Sequence, residues 1–303
     1  MRDLTHERGA VGARLARFGE ALQARPPSLA KAKLLIFLCG ASVSSLPSPR
    51  RRAVQAYIHS LSSEHIVLYA EGVFSELVRL GHKKNILDLE HEISEIADRI
   101  LIILESESAF CELGAFSGKA LRNKLVVVNS TNFSKSESFI NLGPIAATQE
   151  AKGSVLWYPM ILSPQKDLDG IGAIYPKLKE LLTHNYQRGA IISLESLSRL
   201  EMSKHSLYFV HDLILLSGPT LYDELILILK ILFPAVRRFD SLTYLLGILR
   251  EGGLVTSEEI NGRWVVRAKG TQFFLKYGID LFPLMAAFRT HHFRNNPERY
   301  REH

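Results

Sequence analysis

The chain is poor in cysteine: Cys39 and Cys111 are the only two in 303 residues. That excludes a disulfide framework and points to a reducing, cytoplasmic setting. Long apolar runs are missing too; none approaches the roughly 20 residues that span a bilayer, so no membrane anchor is expected. The opening stretch MRDLTHERGA mixes charges of both signs around no apolar core, unlike a secretory leader. There is no G-x-G-x-x-G fingerprint and no Walker lysine loop, so dinucleotide or P-loop chemistry is not indicated and no cofactor is expected. His82 and His91 lack ligand spacing to a cysteine or a second histidine, which argues against a metal site. No elbow motif supplies a Ser/His/Asp triad.

What is present reads as an α/β protein. Hydrophobic residues make up 47% and charged residues 22%, and the length suits two domains. Val11, Leu15, Phe18 and Leu22 predict a short amphipathic helix ended by Arg25-Pro26-Pro27. Solid apolar runs then alternate with helical patterns. KLLIFLCGAS, HIVLYAEG, RILIILES, KLVVVNS and SVLWYPM predict five strands. Helices are expected after Pro49, over ILDLEHEISEIAD and over AFCELGAFSGKAL. Alternation of this kind predicts βαβ units, and continuous apolar strands predict a parallel sheet covered on both faces. Three parts are expected: an N-terminal helical segment over 1–30, a Rossmann-like sheet domain over 31–185, and a smaller domain over 186–303.

The third part has a different pattern. Residues 195–216 predict a helix, TLYDELILILKILF from Pro219 and Thr220 another, and FDSLTYLLGILREGG a third. LVTSEEINGRWVVRAKG predicts a hairpin turning at Asn261-Gly262. TQFFLKYG and LFPLMAAFRTHHF close it as helical stretches. That order suits a winged helix-turn-helix; a helical dimerisation module is the alternative. The helix over 240–251 is apolar apart from Arg250, whereas a groove-reading helix presents several polar side chains. Contact with phosphate or protein is therefore expected from Arg237, Arg238, Arg263, Arg267 and Lys269. Net charge is +6, which permits a nucleic-acid partner. The basic runs RPPSLAKAK, SPRRR and RTHHFRNNPERYREH also read as solvated surface, His291-His292 included.

Ligands of open α/β sheets bind beyond the carboxyl ends of the strands. Four segments converge there: Cys39-Gly40-Ala41-Ser42, Tyr69-Ala70-Glu71, Glu105 to Cys111, and Asn129-Ser130. The stretch LESESAFCELGAF places Glu112 at the start of a helix, where the helix dipole favours ionisation. An ionised carboxylate in a cleft can attack an anomeric carbon or stabilise an oxocarbenium-like cation. Ser106 and Ser108 could hold sugar hydroxyls. The plain alternative is that Glu112 merely suits a helix start.

The combination IFLCGASVS, RRAVQAYI, VLYAEGVFSELV, LDLEHEI, ADRILIILESESAFCELGAFS, KLVVVN and SFINLGPI resembles the effector subunits of bacterial retron defence systems with a nucleoside deoxyribosyltransferase-like domain. The likeness covers about residues 33–150, and E-S-x-S-x-F-x-E-L-G-A-F with S-F-I-N-x-G-P are its specific parts. The resemblance implies an N-glycosidase-type toxin with Glu112 as catalytic carboxylate. Glu105, Ser106 and Ser108 would line the pocket, Tyr69 and Glu71 would lie on a base-facing loop, and Glu90 and Asn141 would be further pocket members. Cys39 and Gly40 belong to the same strand-end cluster. The implied substrate is a nucleotide such as NAD. The implied partners are a reverse transcriptase and its branched msDNA, which restrain the toxin until phage infection; higher-order assembly is also implied. Glu107 departs from the pattern and would either raise a neighbour's pKa or face solvent; Arg50, Arg51 or Lys119 would have to balance the acids. A non-catalytic, nucleotide-sensing and nucleic-acid-binding module is the alternative function.

Overall fold

The structure, a computed structural model, describes residues 9–44, 46–79, 85–160, 169–182 and 188–300; His82 lies outside them. Two compact units divide the chain. One comprises Lys33–Ser75 and His82–Asn185, the other Met1–Ala32, Glu76–Gly81 and Tyr186–His303. The chain opens with α1 (Ala10–Ala24) and a two-residue strand β1 (Ser28–Leu29), both grouped with the C-terminal residues. The helically spaced Val11, Leu15, Phe18 and Leu22 are all buried, as one apolar stripe requires.

The first unit is built on β2 (Leu34–Cys39), the hairpin strands β3 (Ser42–Val43) and β4 (Leu46–Pro47), α2 (Pro49–Leu61), β5 (His65–Leu68) and the start of α3 (Ala70–Arg79), whose residues from Glu76 on are grouped with the other unit. It continues with α4 (Ile86–Ile96), β6 (Arg99–Ile103), α5 (Glu107–Phe116) and β7 (Leu125–Ser130). After a π-helical turn at Asn141–Ile145 come α6 (Ala146–Glu150), β8 (Ser154–Tyr158) and α7 (Tyr175–Leu181). Strands β5-β2-β6-β7-β8 form one sheet in that order, every pair parallel. All residues of β2 and β7 are buried because helices cover both faces, which is why these strands read as unbroken apolar runs. The order is Rossmann-like, and it reverses between β2 and β6. A crevice at such a switch point is where sheets of this type take ligands.

Three local expectations change here. HIVLYAEG is a strand only to Leu68, and Ala70 already opens α3, so Glu71 stands in a helix's first turn rather than on a loop. The third helix begins at Glu107, capped by the Ser106 side chain. Glu112 therefore sits more than a turn inside α5, where the end charge of the helix has faded. SPRRR is not simply solvated, since Arg51 is 1% exposed.

The second unit adds α8 (Leu194–Arg199), α9 (Lys204–Ser217), β9 (Thr220–Leu221), α10 (Tyr222–Leu232), α11 (Leu242–Glu251), β10 (Val255–Ile260), β11 (Arg263–Ala268), β12 (Leu275–Lys276) and α12 (Phe282–Asn295). The helix expected over 195–216 is two helices. Leu200 turns left-handed at φ 48° and Ser203 caps α9 anew. Thr220-Leu221 is a strand rather than a helix start, pairing antiparallel with Val265 and Val266 to give the sheet order β10-β11-β9. Asn261 and Gly262, both at positive φ, make the expected hairpin turn.

TQFFLKYG is not helical. The buried carboxylate of Asp212 accepts hydrogen bonds from the backbone N–H groups of Phe274 and Leu275 and from the Tyr277 hydroxyl. Those amide donors are thereby taken, and β12 instead pairs with β1. The C-terminal tail also departs from a solvated surface. His292 and Arg299 are buried, and Arg299 forms a two-pronged pair with Glu224 at 2.7 and 3.0 Å. Among the described residues, no helix is long and apolar enough to cross a membrane.

Candidate functional site

The switch point brings Cys39 and Gly40, at the end of β2, beside Glu105, which follows β6. Gly40 has φ +150°, and a Cβ there would lie 3.1 Å from both Arg51 Cδ and Glu105 Oε1. The glycine therefore lets these two side chains close on the turn from either side. On one side, Glu105 is a structural anchor. Its Oε1 accepts from Ser48 Oγ at 2.5 Å and from the Ala41 N–H at 3.1 Å, and its Oε2 accepts from Arg50 at 2.9 Å. Arg50 continues to Asp169 at 2.6 Å, which also accepts from the Tyr158 hydroxyl at 3.0 Å.

On the other side Arg51 organises the site. Its guanidinium donates to the Leu38 carbonyl at 2.9 Å and to Glu71 at 2.7 and 3.1 Å, and it lies 4.6 Å from the centre of the Tyr69 ring. Ser42 Oγ adds a 2.7 Å hydrogen bond to Glu71. Burial works against an ionised Glu71, but the Arg51 bonds and charge outweigh it and hold the carboxyl below its ordinary range.

Glu112 and Glu90 have no such cation of their own. Burial, with Glu90's charge added, pushes the Glu112 carboxyl up to about 8. Burial, with Glu71's charge added, pushes Glu90 up to about 7. Burial and then Glu112 and Glu90 also raise the Cys39 thiol. Cys39, Arg51, Glu71, Glu90 and Glu112 thus share one electrostatic neighbourhood. Glu112 Oε2 is buried and accepts no hydrogen bond among the described residues, an arrangement that costs free energy until something occupies that oxygen. The expected ionising influence of the helix start is overturned: dehydration and a like charge govern this carboxylate.

The remaining expected residues fall elsewhere. Ser106 caps α5, and its hydroxyl lies 2.9 Å from that of Ser108. Glu107 is exposed, so it faces solvent. Asn141 serves a loop, its side-chain nitrogen donating to the Phe133 and Ser136 carbonyls at 2.6 and 2.8 Å. In the second unit Arg237, Arg238, Arg263 and Lys269 are exposed, whereas Arg267 is paired with Glu258. Helix α11 is buried from Leu242 through Leu249, and its Arg250 pairs with Glu76.

Sequence reasoning missed Ser48, Asp169 and Tyr158. Ser48 carried a signal, as a cap before Pro49. Asp169 carried none, because its role depends on Arg50, 119 positions away.

A family of retron effectors, described as the STM3845 retron effector protein, matches residues 47–257. The chain belongs to that family. This retron effector is also similar to a protein of Escherichia coli retron Ec73 named as a candidate ribosyltransferase/DNA-binding protein. The two are 35% identical over 281 residues, 89% of this chain and 88% of the relative. A second Escherichia coli relative, with the same wording in its name but from retron Ec86, is 37% identical over 117 residues, 38% of each chain.

Proposed function

We propose that the parallel-sheet unit of this effector is an N-glycosidase that cleaves the bond between ribose and base in a nucleotide, with NAD as substrate and Glu112 as the catalytic carboxylate. The observation that carries the reading is the buried, unpartnered Oε2 of Glu112 beside the β2/β6 switch point. The names of the two relatives as ribosyltransferase/DNA-binding proteins favour chemistry at a sugar carbon.

A carboxylate held up near 8 is mostly protonated at neutral pH and is a poor nucleophile in that form. A pyridinium leaving group, or the cationic sugar left as the bond breaks, brings positive charge beside Glu112 and Glu90. That charge lowers their pKa values and makes the carboxylate when it is needed. Ionised Glu112 then attacks C1 or shields the cation until water completes hydrolysis. Glu71 is already ionised by Arg51, so Glu112 and Glu90 are left as the groups whose charge responds to the substrate. Arg51 and Glu105 grip the Gly40 turn and keep the end of β2 in place.

The C-terminal unit we read as a winged helix. Its elements run α9, β9, α10, α11, β10, β11, with β9 joining the β10–β11 hairpin as a third strand. Enclosure of α11 leaves the hairpin and the exposed Arg237, Arg238, Arg263 and Lys269 to meet phosphate. In this reading the reverse transcriptase and its msDNA hold the effector inactive in the cytoplasm until phage infection releases the toxin.

The deciding experiment is mass-spectrometric profiling of nucleotides in cells expressing the free effector or its Glu112→Gln variant. The wild type is expected to deplete NAD and release nicotinamide, and the variant to do neither while still assembling with its partners. Depletion at the wild-type rate by Glu112→Gln would falsify the assignment.

A further inference from the structure

The second unit holds a cavity of about 260 Å³ between the C-terminal end of α9, the end of β11 and helix α12. Its lining is unlike a leftover packing void. Arg267, Arg289 and Tyr300 all line it, and both arginine charges act on the Tyr300 phenol. Ile214, Pro219 and Met285 supply an apolar wall.

Three observations point to a ligand. Arg289 is exposed and has no acidic partner among the described residues. The Tyr300 oxygen is buried and makes no hydrogen bond among them. Gly218, at φ +74°, keeps that oxygen uncovered, since a Cβ there would come within 2.8 Å of it. A neutral void has no need of two cations and an idle hydroxyl, whereas an anion with a flat apolar portion needs both halves of this lining.

We propose that this cavity binds the phosphate group of a nucleotide unit, with Arg289 and Arg267 on the anionic oxygens, Tyr300 donating a hydrogen bond, and the sugar or base on the apolar wall. Arg267 already pairs with Glu258, so the ligand shares that cation and Arg289 is the one fully available to it. Burial pushes the Tyr300 phenol up while Arg289, Arg267 and Arg299 pull it down; the net rise keeps the hydroxyl protonated as a donor. Phosphate of this kind is carried by a free nucleotide and by a nucleic-acid strand alike, and the site is separate from Glu112, standing or falling without the glycosidase reading.

The test titrates the full-length protein by calorimetry with thymidine monophosphate, a 5′-phosphorylated tetrathymidylate, its unphosphorylated counterpart and inorganic phosphate. Arg289→Ala is expected to weaken binding about tenfold and Tyr300→Phe several-fold, in line with the loss of one charge-assisted or neutral hydrogen bond. Arg289 is exposed, and Phe at 300 keeps the ring that stacks on Phe293 at 4.4 Å, so melting temperatures should stay near wild type. Losses confined to the mononucleotide assign a free nucleotide as the source, and losses confined to the oligonucleotides assign a strand. Either supports the site. Unchanged affinity in both variants, no binding at millimolar ligand, or inorganic phosphate binding as tightly as the nucleotides overturns it. Glu112→Gln should bind all four ligands as wild type does.

Discussion

At the scale of the residue, the site is governed by which carboxylate owns a cation. Glu71 has Arg51, Glu105 has Arg50, and Glu112 and Glu90 feel Arg51 through its charge alone, Glu90 after the larger pull of His91. The direction of two pH effects follows. If ionised Glu112 does the chemistry, kcat/KM should climb with pH and level off near 8, the profile expected of a carboxylate with a raised pKa; a flat profile between pH 6 and 8 counts against it. Stability should run the other way. The folded protein holds the Glu112 proton up to about 8, while the unfolded chain releases it near the ordinary value of about 4.3. Between these limits the folded state binds more protons, so stability falls as pH rises. Glu112→Gln removes that loss and should gain roughly 1–2 kcal/mol at pH 8.5, after a discount for partial exposure, and little at pH 4. Chemical denaturation of both forms at the two pH values measures it. That Glu112 lies on the helix after β6 was legible in the sequence, but its burial beside Glu90 was not. Glu90 reaches it from another helix, and nothing in LESESAFCELGAF shows that the oxygen is dehydrated.

At the scale of the element, strands were read well because burial on both faces leaves an unbroken apolar signature. All five parallel strands were foreseen. Helix boundaries were read less well, since a side chain remote in sequence decides one of them and a local backbone turn another. Asp212 takes the amides of Phe274 and Leu275 and makes a strand of what reads as a helix. Leu200 breaks one predicted helix into two through a backbone turn that leucine seldom favours. The Gly40 turn leaves little room for a single added atom. Gly40→Ala places a Cβ 3.1 Å from Arg51 Cδ and Glu105 Oε1 at φ +150°. It is expected to cost about 1–3 kcal/mol and to lower activity beyond that, because both grips on the end of β2 loosen. A variant with wild-type melting temperature and turnover would show that the turn tolerates a side chain.

At the scale of the whole molecule, net charge is +6, and the second unit exposes Arg237, Arg238, Arg263 and Lys269. If the hairpin meets a phosphate backbone, Arg263→Glu with Lys269→Glu should weaken nucleic-acid binding uniformly across sequences and flatten its salt dependence by roughly one to two counterions. Equal affinity in the double variant assigns that face to protein contact. Local sequence pattern showed that the C-terminal part differs from the sheet, but it did not show that α1 and β1 belong there. A two-residue strand has no periodicity to read, and its partner is remote. Leu29 pairs with Leu275, which has a consequence for synthesis. At ribosomal speeds of ~5–20 residues per second, the first strand waits on the order of tens of seconds for its neighbour to be made. The parallel sheet emerges complete in the meantime, so a nascent chain can own its Glu112 neighbourhood before the β1–β12 pair can form.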